Sequence, residues 1–167
     1  MSAVYISRDE LGSFQFHDAR LKEVRFTPEG IVWTVSDLNA TTENSQNSSS
    51  TDLCMDTARL VFEKGIVTEM ITLASQTFSA EGKLIADHPA RNMEPSCFSQ
   101  VFSAAANRSI YIQSLESLVE IPGGYAAQFL LDFGPDLINT TIQFQSVRVE
   151  WDGFCGPAWY VGWPPRS

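Results

Sequence analysis

Acid–base chemistry in this sequence rests on two histidines, each beside an aspartate: His17-Asp18 and Asp87-His88. Two imidazoles and two carboxylates are the donor set of a divalent-metal site, or of a proton-transferring pair such as a hydrolase uses. The spacing works against both. If His17 and Asp18 lie on one strand, they point to opposite faces. His88 precedes Pro89 and is biased to an extended loop conformation. The remaining Asp and Glu are scattered, so the residues predict no metal, no cofactor and no catalytic group. No G-x-S-x-G, H-E-x-x-H, P-loop or dinucleotide glycine pattern occurs. Gly123-Gly124 reads as a hairpin turn.

The three cysteines, Cys54, Cys97 and Cys155, are odd in number and widely spaced, without a C-x-x-C. That argues against a disulfide framework or a zinc knuckle. Cys97 falls on the apolar side of a predicted helix and reads as an inert buried thiol. Cys155 reads as exposed, with no neighbour to activate it. With no apolar leader at the N-terminus, the expectation is a cytoplasmic protein with free thiols.

Aromatic residues are the one enrichment that points to recognition. Trp151, Phe154, Trp159, Tyr160 and Trp163 fall close together near the C-terminus, among Gly and Pro. Indole faces stack on sugar rings and anchor protein interfaces. The same residues can instead pin a terminal segment across a sheet end. The candidate binding residues are Trp33, Trp151, Trp159, Tyr160 and Trp163.

What must position these residues is mainly β structure. Residues 24–32 read VRFTPEGIV and residues 58–67 read ARLVFEKGIV. Each is an apolar strand, a charged turn ending in Gly, and a strand opening Gly-Ile-Val. Both predict hairpins, the second through Glu63-Lys64-Gly65 with Ile66–Leu73 returning. Phe14 and Phe16 alternate with Gln15 and His17 on a half-buried strand. Pro122-Gly123-Gly124 and Gly134-Pro135-Asp136 predict further turns. Within Thr140–Trp151 the apolar parity changes, since Ile142 and Phe144 share one face while Val147, Val149 and Trp151 take the other. That predicts a bulge near Gln145-Ser146. One short helix is predicted over Ser96–Ala106, capped by Ser96 and covering the sheet with Phe98 and Phe102. Asn39–Asp52 carries no large apolar side chain and predicts a mobile, solvated, dispensable connector.

The fold class expected is therefore mainly β: an antiparallel β-sandwich or strongly curved sheet or barrel built from hairpins, with one short α-helix. Residues 1–167 are read as a single β-rich domain with an aromatic Gly/Pro-rich tail at 152–167. Apolar residues make up 44% and charged residues 19%, which suits a folded core. The net charge of −9 and the absence of a Lys/Arg cluster argue against nucleic acid. No apolar run is long enough for a membrane span. The function expected is a non-catalytic acidic interaction protein that caps or neutralises a basic protein partner, as an immunity or adaptor protein does. The alternative is a small-molecule or carbohydrate-binding β-domain using the C-terminal aromatics. A hydrolase would require His17 and His88 to converge.

Overall fold

The computed structural model describes residues 3–103 and 109–164. Its first strands are β1 (Tyr5–Arg8), β2 (Phe14–Gln15), β3 (Ala19–Thr27), β4 (Gly30–Ser36) and β5 (Asn39–Ala40). There follow β6 (Leu53–Met55), β7 (Ala58–Glu63), β8 (Ile66–Thr72), β9 (Ser75–Phe78), β10 (Leu84–His88) and β11 (Arg91–Asn92). A helix, α1 (Phe98–Ser103), separates these from β12 (Ile110–Ile121), β13 (Gly124–Asp132), β14 (Leu137–Phe144), β15 (Ser146–Trp151) and β16 (Phe154–Pro157).

Ten strands join in one antiparallel sheet, in the order β1-β15-β7-β4-β3-β12-β13-β14-β8-β11. The sheet is folded over. Phe62 on β7 and Phe144 on β14 are five places apart in that order, roughly 24 Å on a flat sheet. Their ring centroids are 5.2 Å apart. Trp33 on β4 and Phe129 on β13 meet at 4.9 Å. The result is a sandwich-like pair of layers with the aromatic core between them. The layers join where only Ala19–Leu21 of β3 pairs with Ile110–Ile112 of β12.

Apolar alternation explains the first hairpin. Val24 pairs with Trp33, Phe26 with Ile31 and Thr27 with Gly30 across the turn. Gly30 has φ +147°, and a Cβ there would lie 2.0 Å from the Phe62 carbonyl oxygen. Only glycine lets β7 approach so closely.

The second predicted hairpin does not form. β7 pairs with β4 and β15, whereas β8 pairs with β14 and β11. Glu63-Lys64-Gly65 is a crossing between layers. Phe62 and the β4 residues opposite it are fully buried, so β7 gains more by joining the first hairpin's layer than by pairing with β8, whose Ile66 is 63% exposed. The parity change in Thr140–Trp151 has the same basis: β14 lies in one layer and β15 in the other, and Gln145 at the break donates its N–H to the Glu63 carbonyl at 2.9 Å. Phe144 and Val147 are both buried.

The helix is shorter at its start than predicted. Pro95–Cys97 forms a 3-10 turn flanked by Glu94, so Ser96 is not its cap, and α1 begins at Phe98. Residues 104–106 of the predicted helix lie outside the described residues. Phe98 and Phe102 are buried as expected, Phe102 against Phe133 and Trp33. Among the described residues, no helix is long and apolar enough to cross a membrane.

A second sheet, in the order β16-β6-β5-β2, closes one end of the core. The segment from Asn39 to Asp52 is built into this end, against the expectation of a solvated connector. Asn39, Asn44 and Asn47 are buried. Asn44 Nδ2 donates to Ser13 Oγ at 2.7 Å and Ser7 Oγ at 3.0 Å. Asn47 Nδ2 lies 3.0 Å from both the Ala40 and Thr51 carbonyl oxygens. Short polar side chains replace an apolar core here: Asn47 satisfies buried backbone carbonyls and Asn44 ties in two serine hydroxyls, while the buried Asn39 amide has no partner among the described residues.

Strands β9 and β10 form a separate two-stranded ribbon. Its Phe78, Leu84 and Ile85 are exposed, so no core-facing alternation marks it.

Candidate binding site around Trp159

The tail after β16 is fixed by small residues and one phenol. Ala158 is buried and donates its N–H to the Asp52 carbonyl at 3.0 Å. Two successive turns follow: Val161 N–H donates to the Ala158 carbonyl at 3.0 Å, and Trp163 N–H to that of Tyr160 at 3.1 Å. The Tyr160 hydroxyl donates to the Asp52 carboxylate. Burial and that carboxylate push the phenol well above its ordinary range. These anchors leave Trp159 and Trp163 in solvent, 43% and 60% exposed, with their rings edge-to-face at 5.2 Å.

Of the five candidate residues, Trp159, Tyr160 and Trp163 come together. Trp33 and Trp151 do not join them. They are 0% and 1% exposed, core residues that present no face to a ligand. Trp151 stacks on Tyr5, and Trp33 packs on Phe62 and Phe129.

Trp159 is a wall shared by two clefts. One, of about 540 Å³, is lined by Gln15, His17, Gln113, Ser114, Tyr160, Trp163 and Pro164 besides Trp159. The other, of about 410 Å³, is lined by Asp18, Asp37, Cys54, Cys155 and Pro157 besides Trp159.

His17 and Asp18 are not on a strand, as expected, but in a turn between β2 and β3, closed by the Ala19 N–H donating to the Phe16 carbonyl at 2.8 Å. Asp18 takes a left-handed φ of +65°. The turn removes the alternation that would separate the pair, and His17 Nε2 lies 3.5 Å from Asp18 Oδ2. His17 Nδ1 lies 3.1 Å from the Gln113 carbonyl oxygen. Asp37 also has left-handed backbone, φ +61°, just beyond β4. Aspartate tolerates that region better than most residues. Among the described residues, Asp37 has no ion-pair partner and Asp18 has only His17.

His88 lies on β10, opposite Ser75, rather than in a loop. It is not among the residues lining either cleft. Among the described residues, no group of three or more His, Cys, Asp or Glu is gathered as metal ligands would be.

Cys97 is half-buried, Cys155 exposed and Cys54 half-buried, all as free thiols. Burial first, then Cys155 and Asp37, push the Cys54 thiol above its ordinary range. Sequence reasoning missed Asp37, Gln113 and the meeting of Cys54 with Cys155. For Asp37 the usable signal was an Asp directly after an apolar strand, a turn-forming position. The other two depend on strand register. Comparison with known protein families, curated proteins and solved structures found no match.

Proposed function

We propose that this protein is a non-catalytic binding protein that seats a cationic side chain of a basic protein partner between the Trp159 indole and the Asp18 and Asp37 carboxylates. The observation that carries the reading is the composition of the second cleft: two carboxylates and an exposed indole, with neither Lys nor Arg among its lining residues. A guanidinium on an indole face gains about 0.5–1 kcal/mol at an exposed site and about 2 kcal/mol when desolvated. Two nearby carboxylates add Coulomb attraction, and a chain of net charge −9 steers a basic partner toward them.

The test titrates a short oligoarginine peptide into wild type, Asp18→Asn/Asp37→Asn and Trp159→Ala. Asp136→Asn, a carboxylate outside this cleft, serves as the control. Both cleft variants are expected to bind about tenfold more weakly, with the control near wild type. Equal affinity in all four proteins would remove the reading.

A second reading is supported by the other cleft, where exposed indoles accompany the uncharged Gln15, Gln113 and Ser114. Indole faces with amide and hydroxyl groups suit a saccharide. A response to soluble oligosaccharides that disappears in Trp163→Ala would favour it over the cationic ligand.

A further inference from the structure

We infer that Cys54 and Cys155 form a reversible dithiol–disulfide site across the β6–β16 ladder, open to small disulfide oxidants such as oxidised glutathione. This is separate from the question of what the clefts bind. Phe154 pairs with Met55 and Gly156 with Cys54, and the ladder shifts between those pairs. Cys155 is the extra residue, so Cys155 and Gly156 together oppose Cys54, as in a two-against-one bulge. Gly156 is the residue paired directly with Cys54, and the bulge sets Cys155 beside it, near enough to add to burial in raising the Cys54 thiol pKa. A disulfide needs the two Cα atoms roughly 4.4–6.8 Å apart. Gly156, at φ +139°, has no heavy atom within 4 Å of where its Cβ would sit, so the bulge leaves open space beside Cys155.

Access is the second observation. Cys155 is exposed and Cys54 half-buried, and both line the open cleft of about 410 Å³ beside Trp159. The order of attack follows. The Cys155 thiolate attacks the oxidant, the oxidant's S–S bond breaks, and one small thiol leaves, its proton balancing that lost by Cys155. The Cys54 thiolate then attacks the Cys155 sulfur, and the second small thiol leaves. Two protein thiols and one small disulfide thus become one protein disulfide and two small thiols. Cys97, near α1, takes no part.

The test is intact mass and peptide mapping of the reduced full chain after incubation with oxidised glutathione. The expected product has lost two hydrogens, retains one free thiol at Cys97, yields a crosslinked peptide pair containing Cys54 and Cys155, and returns to the starting mass with a dithiol reductant. Cys97→Ser should give the same crosslink, while Cys54→Ser should stop at a glutathione adduct on Cys155. Persistence of three free thiols, or stable separate adducts on Cys54 and Cys155 in wild type, would overturn the inference. The wild-type measurement decides the matter even if a variant folds poorly.

Discussion

Tyr160 reports by its ionisation whether the tail holds its place. Its folded-state pKa is raised by burial and by Asp52, so folding favours the neutral phenol. That contribution is fully present below the ordinary tyrosine pKa of about 10 and is lost as pH rises beyond it. An alkaline absorbance titration should show a phenol ionising above the ordinary tyrosine range, and Tyr160→Phe should remove that late step. A titration without a late step would contradict the hydrogen bond to Asp52. Asn47 is the matching case for stability. Its amide serves buried carbonyls, so Asn47→Ala should cost about 2 kcal/mol in chemical denaturation. At this scale the sequence was half legible. Residue type named Trp159, Tyr160 and Trp163, but it also named Trp33 and Trp151, because an indole reads alike in core and cleft. The parity of Trp151 with Val147 and Val149 was the available sign that it belonged to the core. The left-handed backbone at Asp18 and Asp37 comes from turn geometry that periodicity does not encode.

Elements were most legible where contacts are local. The β3–β4 hairpin follows from alternation and a Pro–Gly turn. The like-sounding β7–β8 segment differs because its partners come from elsewhere in the chain, and the same letters around Lys64-Gly65 serve a layer crossing. Gly30 marks the difference in energy. Gly30→Ala should cost about 3 kcal/mol or more, since the new methyl meets the Phe62 carbonyl and the backbone is unsuited to it. Gly82→Ala, where a Cβ meets nothing within 4 Å, is the matched control for positive φ alone and should cost about 1 kcal/mol. The Asn39–Asp52 segment reverses a sequence expectation. Composition argued that it could be exchanged for a Gly/Ser linker at a cost of about 1 kcal/mol or less. With Asn44 and Asn47 buried and bonded, replacing residues 41–51 should instead cost about 3 kcal/mol or more. Urea denaturation of the exchanged protein measures it. Polar composition predicts solvation only when the polar groups have no backbone to satisfy.

The folded-over sheet holds a layer of charge on one outer face. Glu150 accepts from Arg59 at 2.5 Å and Arg148 at 2.7 Å, and Arg148 also reaches Glu63 at 2.6 Å. Burial alone would raise the Glu150 pKa, but the two guanidiniums hold it below the usual carboxylate range. Its contribution to stability is present above the ordinary glutamate pKa and is lost as pH falls through the lowered one. The acid limb of a stability–pH curve should therefore flatten in Glu150→Gln, and an unchanged limb would show that the ladder contributes nothing. The strand order has a different consequence, in time. Among the described residues β1 pairs only with β15, Tyr5 lying opposite Trp151. β1 thus meets this neighbour across most of the length of the chain. Until then it is a bare edge, and the loop that must close is nearly the longest this chain allows. Such non-local pairing belongs to the slow end of the folding range, about milliseconds to seconds. Stopped-flow refolding should find most of the tryptophan signal arriving on that timescale, and a chain halted before residue 146 should be prone to edge-to-edge aggregation rather than partly native.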